Sequence, residues 1–472
     1  MNLTGNVIPS RVKRIHMIAV CGTGMGALAC MLKDLGYEVT GSDHDVYPPM
    51  SDFLDSKGIP IFKGFDAGNM DCDPDLVIIG NAVSRTNPEA VAVMDRQIPY
   101  CSMPQALNRF AASGKKIILI TGTHGKTTTS SIMAHLLYEA GMDPSFMIGG
   151  ILKGFDSNYR IGNGEYIVIE GDEYDTAFFD KGPKFMHYPP HIAVITSVEF
   201  DHADIYRDLD HVKSAFSRFA GSVPASSLIV ACQDDPNVRE IMGAAVSRVA
   251  WYGQMAGGWS IRDLGIENKN TRVTLVRPDG SQIPVSTPLM GCHNLMNLLA
   301  VTAAGHDLGI PESTMVKAFS TFSGVRRRQE VRGIRHQITV MDDFAHHPTA
   351  VRETIRAVKP FYSEGRLIAV FEPRTNSSMR AVFQDQYPLC FDEADLICIR
   401  RPSRLDKIPE NQRLSSEKLV SDIQARGKAA LLFDTTDALM EHLVKVATKN
   451  DLLLIMSNGG FDNIHHRLLE VL

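Results

Sequence analysis

The sequence contains few of the residues that mark disulfide-linked or metal-clustered proteins. Only eight cysteines and two tryptophans occur among 472 residues, and aromatic residues amount to 7%. No two cysteines form a CxxC pair, and most of them lie in or beside apolar runs. We therefore expect buried, reduced thiols and neither disulfides nor a cysteine metal site.

Long apolar runs and an excess of positive charge are missing as well. No segment approaches the run of about 18 apolar residues that a membrane-spanning helix requires, and the first residues lack the apolar centre of a signal peptide. The formal net charge of −6 implies no basic face for nucleic acid. The sequence therefore predicts a cytoplasmic protein that binds neither a membrane nor nucleic acid.

What the sequence has throughout is an alternation of strand-like apolar runs with helix-like segments. Such alternation predicts an α/β fold with parallel sheets, and 472 residues suggest three domains at about 150 residues each. Polar breaks at 112–116 and 323–336 separate three series of strands. The predicted domains are residues 1–112, 113–323 and 324–472.

A glycine-rich loop that ends in a lysine follows a strand-like run and opens a helix, which is the context of a phosphate-binding loop. Backbone N–H groups at the helix start would meet the anion, Lys126 would add a positive charge, and Thr127 could ligate Mg²⁺. The spacing departs from the usual motif, since Ile120 stands at the place of its first glycine. The loop consists of Gly122, Thr123, His124, Gly125, Lys126, Thr127 and Thr128.

A phosphate-binding loop needs a metal-holding acid on a neighbouring strand. The run at 166–170 ends in Glu170, and the run at 191–200 is followed closely by His202. Both side chains would emerge at the carboxyl ends of parallel strands, where ligands bind in open α/β sheets. The sequence therefore predicts that Glu170 and His202 hold Mg²⁺, directly or through water.

A second glycine loop lies earlier in the chain, after the first strand-like run. Gly22, Gly24 and Ala27 nearly fit the pattern G-x-G-x-x-G/A, and Asp43 ends the next strand about twenty residues on. This pattern fits an NAD-type site, and hence a dehydrogenase. It also fits another nucleotide diphosphate, or a tight turn that lets a helix pack on a strand.

The last third of the chain carries further polar side chains at element boundaries. Asp343 and His346 lie between a strand and a helix, where a nucleotide or active-site contact fits better than a metal site. Arg328 ends a run of arginines at a domain boundary, which is either a solvated face or a hinge that closes onto a phosphate. Asn294 and Asn297 share one helix face, so they should bond a ligand or each other.

Several motifs occur in an order that resembles the Mur ligases, the ATP-dependent amide-forming enzymes of peptidoglycan assembly. They are GTGMG, GSD, GTHGKTTT, EGDE, DHAD, HNLMN, RRRQE and DDFAHHPT, and the resemblance runs from about residue 14 to residue 472. It implies a Rossmann-like N-terminal domain for a UDP-sugar, a central P-loop ATPase-like domain with a parallel sheet, and a Rossmann-like C-terminal domain that swings in. We expect a monomer or a weak homodimer.

The resemblance implies ATP and Mg²⁺ as cofactors, and it carries roles over residue by residue. The implied ATP-binding residues are Gly122, Thr123, His124, Gly125, Lys126, Thr127, Thr128, Asn294, Asn297, Arg328 and Asp343. The implied metal ligands are Thr127, Glu170 and His202, the last for a second Mg²⁺. The implied catalytic residues are Lys126, Glu170, His202, Arg328 and His346, with the task of the last one open.

Since the second loop already serves ATP, the first loop is better assigned to the pyrophosphate of the UDP-sugar. The implied UDP-sugar residues are Gly22, Thr23, Gly24, Met25, Gly26, Asp43 and Ser84. Three residues of the stretch FEPRTNSS are candidates for contact with the amine substrate, on position only. They are Arg374, Asn376 and Ser377.

Two branches of the family use the same sugar nucleotide, UDP-N-acetylmuramate. One adds free L-alanine, and the other adds the murein tripeptide L-alanyl-γ-D-glutamyl-meso-diaminopimelate through an acyl phosphate, in peptidoglycan recycling. The stretches at 174–188, 371–378 and 456–465, together with Phe344-Ala345, resemble the tripeptide branch. We therefore expect the tripeptide ligase, with the alanine ligase, an NAD-dependent oxidoreductase and a non-catalytic ATP-binding module as the alternatives.

Overall fold

The computed structural model describes residues 5–46, 48, 50–203, 205–403, 405 and 408–472. The chain divides into two compact units. The first consists of Met1–Val198, Lys213–Trp259 and Ala300–Ala318, and the second of Glu199–Val212, Ser260–Leu299 and Phe319–Leu472. Within the described ranges, every helix is too short or too polar to cross a membrane.

The first sheet of the first unit has five parallel strands in the order β3-β2-β1-β4-β5. Its strands are β1 (Arg14–Ile18), β2 (Glu38–Asp43), β3 (Ile61–Lys63), β4 (Leu76–Ile79) and β5 (Tyr100–Ser102). Its helices are α1 (Thr23–Asp34), α2 (Met50–Ser56), α3 (Pro88–Asp95) and α4 (Met103–Ala106). All four residues of β4 are buried, as expected for a strand covered on both faces.

The second sheet of this unit has seven strands in the order β14-β13-β12-β6-β9-β7-β8, and only the edge pair β7–β8 is antiparallel. These strands are β6 (Lys116–Thr121), β7 (Ser145–Leu152), β8 (Ser157–Arg160), β9 (Tyr166–Glu170), β12 (Pro190–Ile195), β13 (Leu228–Cys232) and β14 (Arg248–Tyr252). A separate hairpin is formed by β10 (Asp175–Ala177) and β11 (Asp180–Pro183). The helices of this stretch are α5 (Lys126–Glu139), α6 (Leu209–Ser222) and α7 (Pro236–Ile241).

The second unit contains a three-stranded antiparallel sheet and a six-stranded sheet. The small sheet is built from β15 (Ser260–Glu267), β16 (Asn270–Val276) and β17 (Gln282–Thr287), and α8 (Cys292–Asp307) and α9 (Glu312–Thr321) follow it. The larger sheet has the order β18-β19-β23-β20-β21-β22, with β18 antiparallel to β19. Its strands are β18 (Glu330–Arg335), β19 (Ile338–Asp343), β20 (Leu367–Phe371), β21 (Leu396–Arg400), β22 (Ala429–Phe433) and β23 (Leu452–Met456). Its helices are α10 (Pro348–Val358), α11 (Ser416–Ala425), α12 (Thr436–Val446) and α13 (Ile464–Val471).

The predicted α/β class is confirmed, and one predicted strand is too long. The run at 191–200 was expected to be strand throughout, whereas β12 ends at Ile195. Thr196 still donates its N–H to the carbonyl of Thr121 at 3.1 Å, but its hydroxyl donates to the carbonyl of His124 at 2.5 Å. The chain therefore leaves the sheet at Thr196, whose hydroxyl supports the loop that opens α5.

The two helices that begin at glycine loops start differently from their neighbours. Helices α3 and α10 are capped by the side chains of Asn87 and His347, which accept backbone N–H groups of the first turn. Within the described residues, neither α1 nor α5 has a side-chain cap. Uncapped N–H groups at a helix start are suited to bind an anion.

Candidate active site

The first glycine loop is held by Asp43 at the end of β2. Its Oδ2 accepts the N–H of Cys21 at 2.8 Å, and its Oδ1 accepts the N–H of Asp45 at 3.2 Å. Gly22 caps α1 with its backbone. The structure thus places Asp43 beside the loop, where its carboxylate accepts main-chain N–H groups and has a structural task.

The other residues predicted for the UDP-sugar lie in different environments. Thr23, Gly24 and Met25 form the first turn of α1. A Cβ on Gly26 would lie 2.6 Å from Cε of Met50, at the flexible end of that side chain, and 3.2 Å from the carbonyl oxygen of Val20. Ser84 is exposed, and its hydroxyl lies 3.0 Å from that of Thr86.

A buried polar cluster behind this loop was missed at the sequence level. Nδ1 of His16 lies 2.9 Å from the hydroxyl of Thr40, and Nε2 lies 3.7 Å from Glu89, which also accepts the hydroxyl of Ser42. Although burial opposes both charges, Cys72 and Glu89 raise the pKa of His16, and His16 lowers the pKa of Glu89. The only sequence signal is a histidine inside an apolar strand.

The second glycine loop has a backbone that requires glycine. Gly122 has φ +123°, and a Cβ there would lie 2.9 Å from the backbone nitrogen of Ser197. Ser197 also accepts two N–H groups of the loop, from Thr123 through its carbonyl at 2.9 Å and from His124 through its hydroxyl at 3.0 Å. Gly125, with φ +80°, then starts α5. The loop is therefore rigidly placed by the end of β12.

Lys126 points back over the loop and forms a buried ion pair. Its Nζ donates to the carbonyl of Gly122 at 2.7 Å and to the two carboxylate oxygens of Glu173 at 2.8 and 3.2 Å. The two side chains are 12% and 3% exposed. Burial opposes the charge, but Glu173 and Asp172 raise the pKa of Lys126. Thr128 is buried in the same helical turn.

Glu170 stands at the end of β9, beside the start of α5. Its Oε1 accepts the hydroxyl of Thr127 at 2.9 Å, and its Oε2 accepts the N–H of Gly149 at 2.7 Å. Burial and the neighbouring Asp172 raise the pKa of Glu170. A carboxylate and a hydroxyl in a negatively charged surrounding form a donor set that suits Mg²⁺. The prediction of Thr127 and Glu170 as one group therefore agrees with their geometry.

The hairpin β10–β11 connects this acidic stretch to the first sheet. The ring of Phe179 lies 5.0 Å from that of Tyr100 at 77°, and Phe178 packs against Phe179 at 5.2 Å. His187 pairs at 2.8 Å with Asp180, the first residue of β11 after the hairpin turn. The stretch at 174–188 therefore packs against the first sheet and directly follows Glu173, the partner of Lys126.

In the second unit, three of the residues predicted to bind ATP are linked by hydrogen bonds. Nδ2 of Asn297 donates to Oδ1 of Asn294 at 3.3 Å, and Nδ2 of Asn294 donates to Oε1 of Gln329 at 3.1 Å. The N–H of Gln329 donates to Asp343 at 2.8 Å. Burial raises the pKa of Asp343, and the nearby Arg328 partly offsets this. Gln329 was not predicted, and it joins the amide pair to the acid.

Three histidines of the second unit favour the charged form of one carboxylate, that of Asp201. His202, which has φ +55°, donates its N–H to Oδ1 of Asp201 at 2.7 Å. Although burial opposes ionisation of Asp201, the charges of His202, His347 and His346 hold its pKa below the usual range. The structure thus places His202 and His346 around one acid. Asp204, the last residue of the motif DHAD, lies outside the described residues.

The predicted peptide-binding residues follow β20. The buried hydroxyl of Ser377 accepts the N–H of Ala203 at 3.3 Å, which joins it to the loop of His202. Asn376 is exposed. Arg374 is half-buried, with NH1 3.7 Å from Oε2 of the buried Glu372.

Three family models match the chain in order. The Mur ligase family catalytic domain matches residues 14–115, the Mur ligase middle domain 120–305, and the Mur ligase glutamate ligase domain 326–459.

Individual relatives match almost end to end. The UDP-N-acetylmuramate–L-alanyl-γ-D-glutamyl-meso-2,6-diaminoheptandioate ligase of Escherichia coli (strain K12) is 38% identical over 97% of this chain and 98% of its own. The UDP-N-acetylmuramate–L-alanine ligase of Desulforapulum autotrophicum is 32% identical over 97% and 98%. The crystal structure of a murein peptide ligase from Psychrobacter arcticus superposes with a TM-score of 0.72, at 30% identity over 97% and 98%.

Proposed function

Because the chain belongs to the Mur ligase family, we propose that it joins UDP-N-acetylmuramate to the tripeptide L-alanyl-γ-D-glutamyl-meso-diaminopimelate, as a step of peptidoglycan recycling. The observation that carries this proposal is the near-complete match to a relative named for that ligation, which is closer than the match to an alanine ligase. The family resemblance expected from the motifs is confirmed, and the chain is an ATP-dependent ligase that forms an amide bond.

We assign ATP to the second glycine loop and to the cluster around Asp343. The N–H groups at the start of α5 and the charge of Lys126 would hold the β- and γ-phosphates, since this helix has no side-chain cap. Asn294 and Asp343 would contact the adenine and ribose, with Asn297 and Gln329 holding them in place. Arg328, whose guanidinium lies 4.8 Å from the ring of Phe344, would contact the phosphates.

We assign Mg²⁺ to Thr127 and Glu170, and a second Mg²⁺ to His202. The first pair fits, because its hydroxyl and carboxylate oxygens lie 2.9 Å apart, and burial together with the neighbouring Asp172 raises the pKa of Glu170, so a cation there would be favoured. The ion would neutralise charge on the transferred phosphoryl group. Thr127 and Glu170 would hold this ion beside the start of α5.

We assign the UDP-sugar to the first glycine loop, with its pyrophosphate at the uncapped start of α1. Asp43 already bonds the loop backbone, so it would place the N–H groups that meet the anion. Ser84 is exposed and free of the sheet, so it would contact the ligand from the turn after β4.

The reaction needs an activated carboxyl group, because a carboxylate is a poor electrophile. The γ-phosphoryl group of ATP would pass to the lactyl carboxylate of the muramic acid, which gives an acyl phosphate and ADP. The amino group of the tripeptide's L-alanine then attacks the acyl carbon, loses a proton and expels phosphate. Lys126 and Arg328 would carry the charge in both steps, and exclusion of water would protect the acyl phosphate.

The test is the release of ADP that depends on UDP-N-acetylmuramate. Lys126→Ala should abolish it, because the loop loses its positive charge. Lys116→Ala is the matched control, since Lys116 lies on the same sheet in an exposed pair with Glu165. Near-normal turnover of Lys126→Ala would contradict the assignment.

We assign residues 1–112 to the UDP-sugar domain, 113–323 to the ATP domain and 324–472 to the C-terminal domain. The first boundary falls just before β6 and the second between α9 and β18, and boundaries outside helices and strands support this division. A cytoplasmic location and a monomeric or weakly dimeric state stay predictions. The alternative of an NAD-dependent oxidoreductase would require NAD binding, and we expect none.

A further inference from the structure

The loop after β23 passes directly beneath the side chain of Arg374. A Cβ on Gly459 would lie 2.5 Å from Cζ of Arg374, and closer still to its Cδ and Nε. Gly459 does not have a positive φ. The need for glycine at this position therefore comes from the arginine that lies across it, and not from the backbone.

The two loops meet because β20 and β23 are parallel neighbours, with Phe371 paired to Met456 at their ends. Glu372 and Ser457 follow these residues, and the hydroxyl of Ser457 donates to Glu372 at 2.7 Å. The same hydroxyl oxygen accepts the N–H of Gly459 at 3.0 Å. The sheet register thus fixes Gly459 relative to the acid that pairs with Arg374.

Arg374 is oriented by this acid and still reaches solvent. Glu372 is 6% exposed and lies 3.7 Å from NH1 of Arg374, whose side chain is 32% exposed. A guanidinium has five N–H donors in a planar fork, which is suited to a carboxylate. The part of the fork that faces away from Glu372 can therefore bind a second carboxylate.

The loop is also held from its other side. NH2 of Arg327 donates to the carbonyl of Ser457 at 2.6 Å and to that of Gly459 at 2.7 Å, and Nε lies 3.5 Å from the buried Asp342. Because these bonds keep the loop in place, a methyl group on Gly459 would displace the flexible end of Arg374 and not the backbone.

We propose that Gly459 is a positioning residue for the amine substrate, since its missing side chain lets Arg374 lie across the loop and bind a carboxylate of the peptide. This inference rests on the proposed function, because the tripeptide carries several carboxylates at a distance from the reacting amine. Gly459 itself contacts no substrate. Gly459 acts only by determining where the guanidinium of Arg374 lies.

The experiment compares Gly459→Ala with Gly460→Ala in steady-state ligation of the tripeptide. Gly459→Ala should raise KM for the tripeptide roughly ten- to hundredfold, the effect of a lost hydrogen bond to a charged group. KM for ATP and for UDP-N-acetylmuramate, and the thermal unfolding midpoint, should stay unchanged. Gly460 has φ −73° and nothing within 4 Å of an added Cβ, so its alanine variant should match the wild type throughout.

A double-mutant cycle separates this task from a merely structural one. Arg374→Ala alone should raise KM for the tripeptide, and adding Gly459→Ala should then change nothing further. Glu372→Gln should raise the same KM, because the guanidinium loses its orienting partner. Equal effects of Gly459→Ala in the presence and absence of Arg374, or an unchanged KM, would overturn the inference. A wild-type enzyme that makes no product from the tripeptide would instead overturn the proposed function.

Discussion

The buried pair of Lys126 and Glu173 should stabilise the second glycine loop in the absence of any ligand. The change that tests this is Glu173→Gln, which keeps the shape and removes the negative charge. Loss of one partner from a buried pair costs about 3–5 kcal/mol. Lys126 keeps the carbonyls of Gly122 and Thr123 at 2.7 and 3.3 Å, so we expect the lower end, about 3 kcal/mol.

The assay is thermal unfolding of the nucleotide-free protein. The unfolding midpoint of a domain of about 150–250 residues falls by about 2–4 °C for each kcal/mol of lost stability, so the midpoint of Glu173→Gln should fall by about 6–12 °C. Glu165→Gln is the control, because Glu165 pairs with Lys116 at 2.9 Å at the surface and should cost less than about 1 kcal/mol.

The loss of stability in Glu173→Gln, called the deficit below, should depend on pH because the pKa of Lys126 is shifted. In the wild type the pKa of Lys126 is raised, so its contribution is fully present below the unfolded value of about 10.5. In Glu173→Gln, Asp172 and Glu170 still favour the charged lysine, but the paired carboxylate is gone while burial still opposes the charge, so the pKa of Lys126 is lower than in the wild type. The deficit should therefore shrink as the pH rises toward about 10.

ATP should also shrink the deficit, because its phosphates replace the lost negative charge. A non-hydrolysable ATP analogue should then raise the midpoint of Glu173→Gln more than that of the wild type. An equal deficit with and without nucleotide would refute the reasoning, and so would a variant as stable as Glu165→Gln.

Two further substitutions test other parts of the account. Glu89→Gln should lower the free energy of unfolding by about 3–5 kcal/mol, because His16 loses its buried partner. Urea denaturation measures this free energy, and a loss below about 1 kcal/mol would contradict the ion pair. In the wild type the pKa of Glu89 is lowered and that of His16 is raised, so both groups are charged between these two pKa values. The stability that the pair contributes should therefore be lost as the pH falls through the pKa of Glu89 and as it rises through that of His16. Glu170→Gln should reduce turnover at least about a hundredfold and raise the Mg²⁺ concentration needed, and an unchanged metal titration would remove Glu170 from the metal site.

The sequence predicted those parts of the fold that depend on local pattern. The strand expected to end at Asp43 corresponds to β2, and the helix expected to open at the second glycine loop corresponds to α5. Apolar runs in parallel sheets and glycines before a helix are local signals. Glu170 and Thr127 could be grouped in advance, because both lie at the same edge of the sheet.

The remaining site geometry depends on side chains that meet from distant parts of the chain. Glu89 reaches His16 across 73 positions, and Arg374 lies over Gly459 across 85. Such contacts follow from strand order, which periodicity does not reveal. The continuing apolar residues of the run at 191–200 predict a strand to its end, whereas β12 ends at Ile195 and the hydroxyl of Thr196 bonds the loop at His124.

The central claim is that this ligase accepts the tripeptide as its amine substrate. The most direct measurement supplies UDP-N-acetylmuramate and Mg-ATP with either L-alanyl-γ-D-glutamyl-meso-diaminopimelate or free L-alanine, and compares kcat/KM for the ligated products by mass spectrometry. We predict that the tripeptide is strongly preferred. A strong preference for free L-alanine would contradict the account and make the protein an alanine ligase.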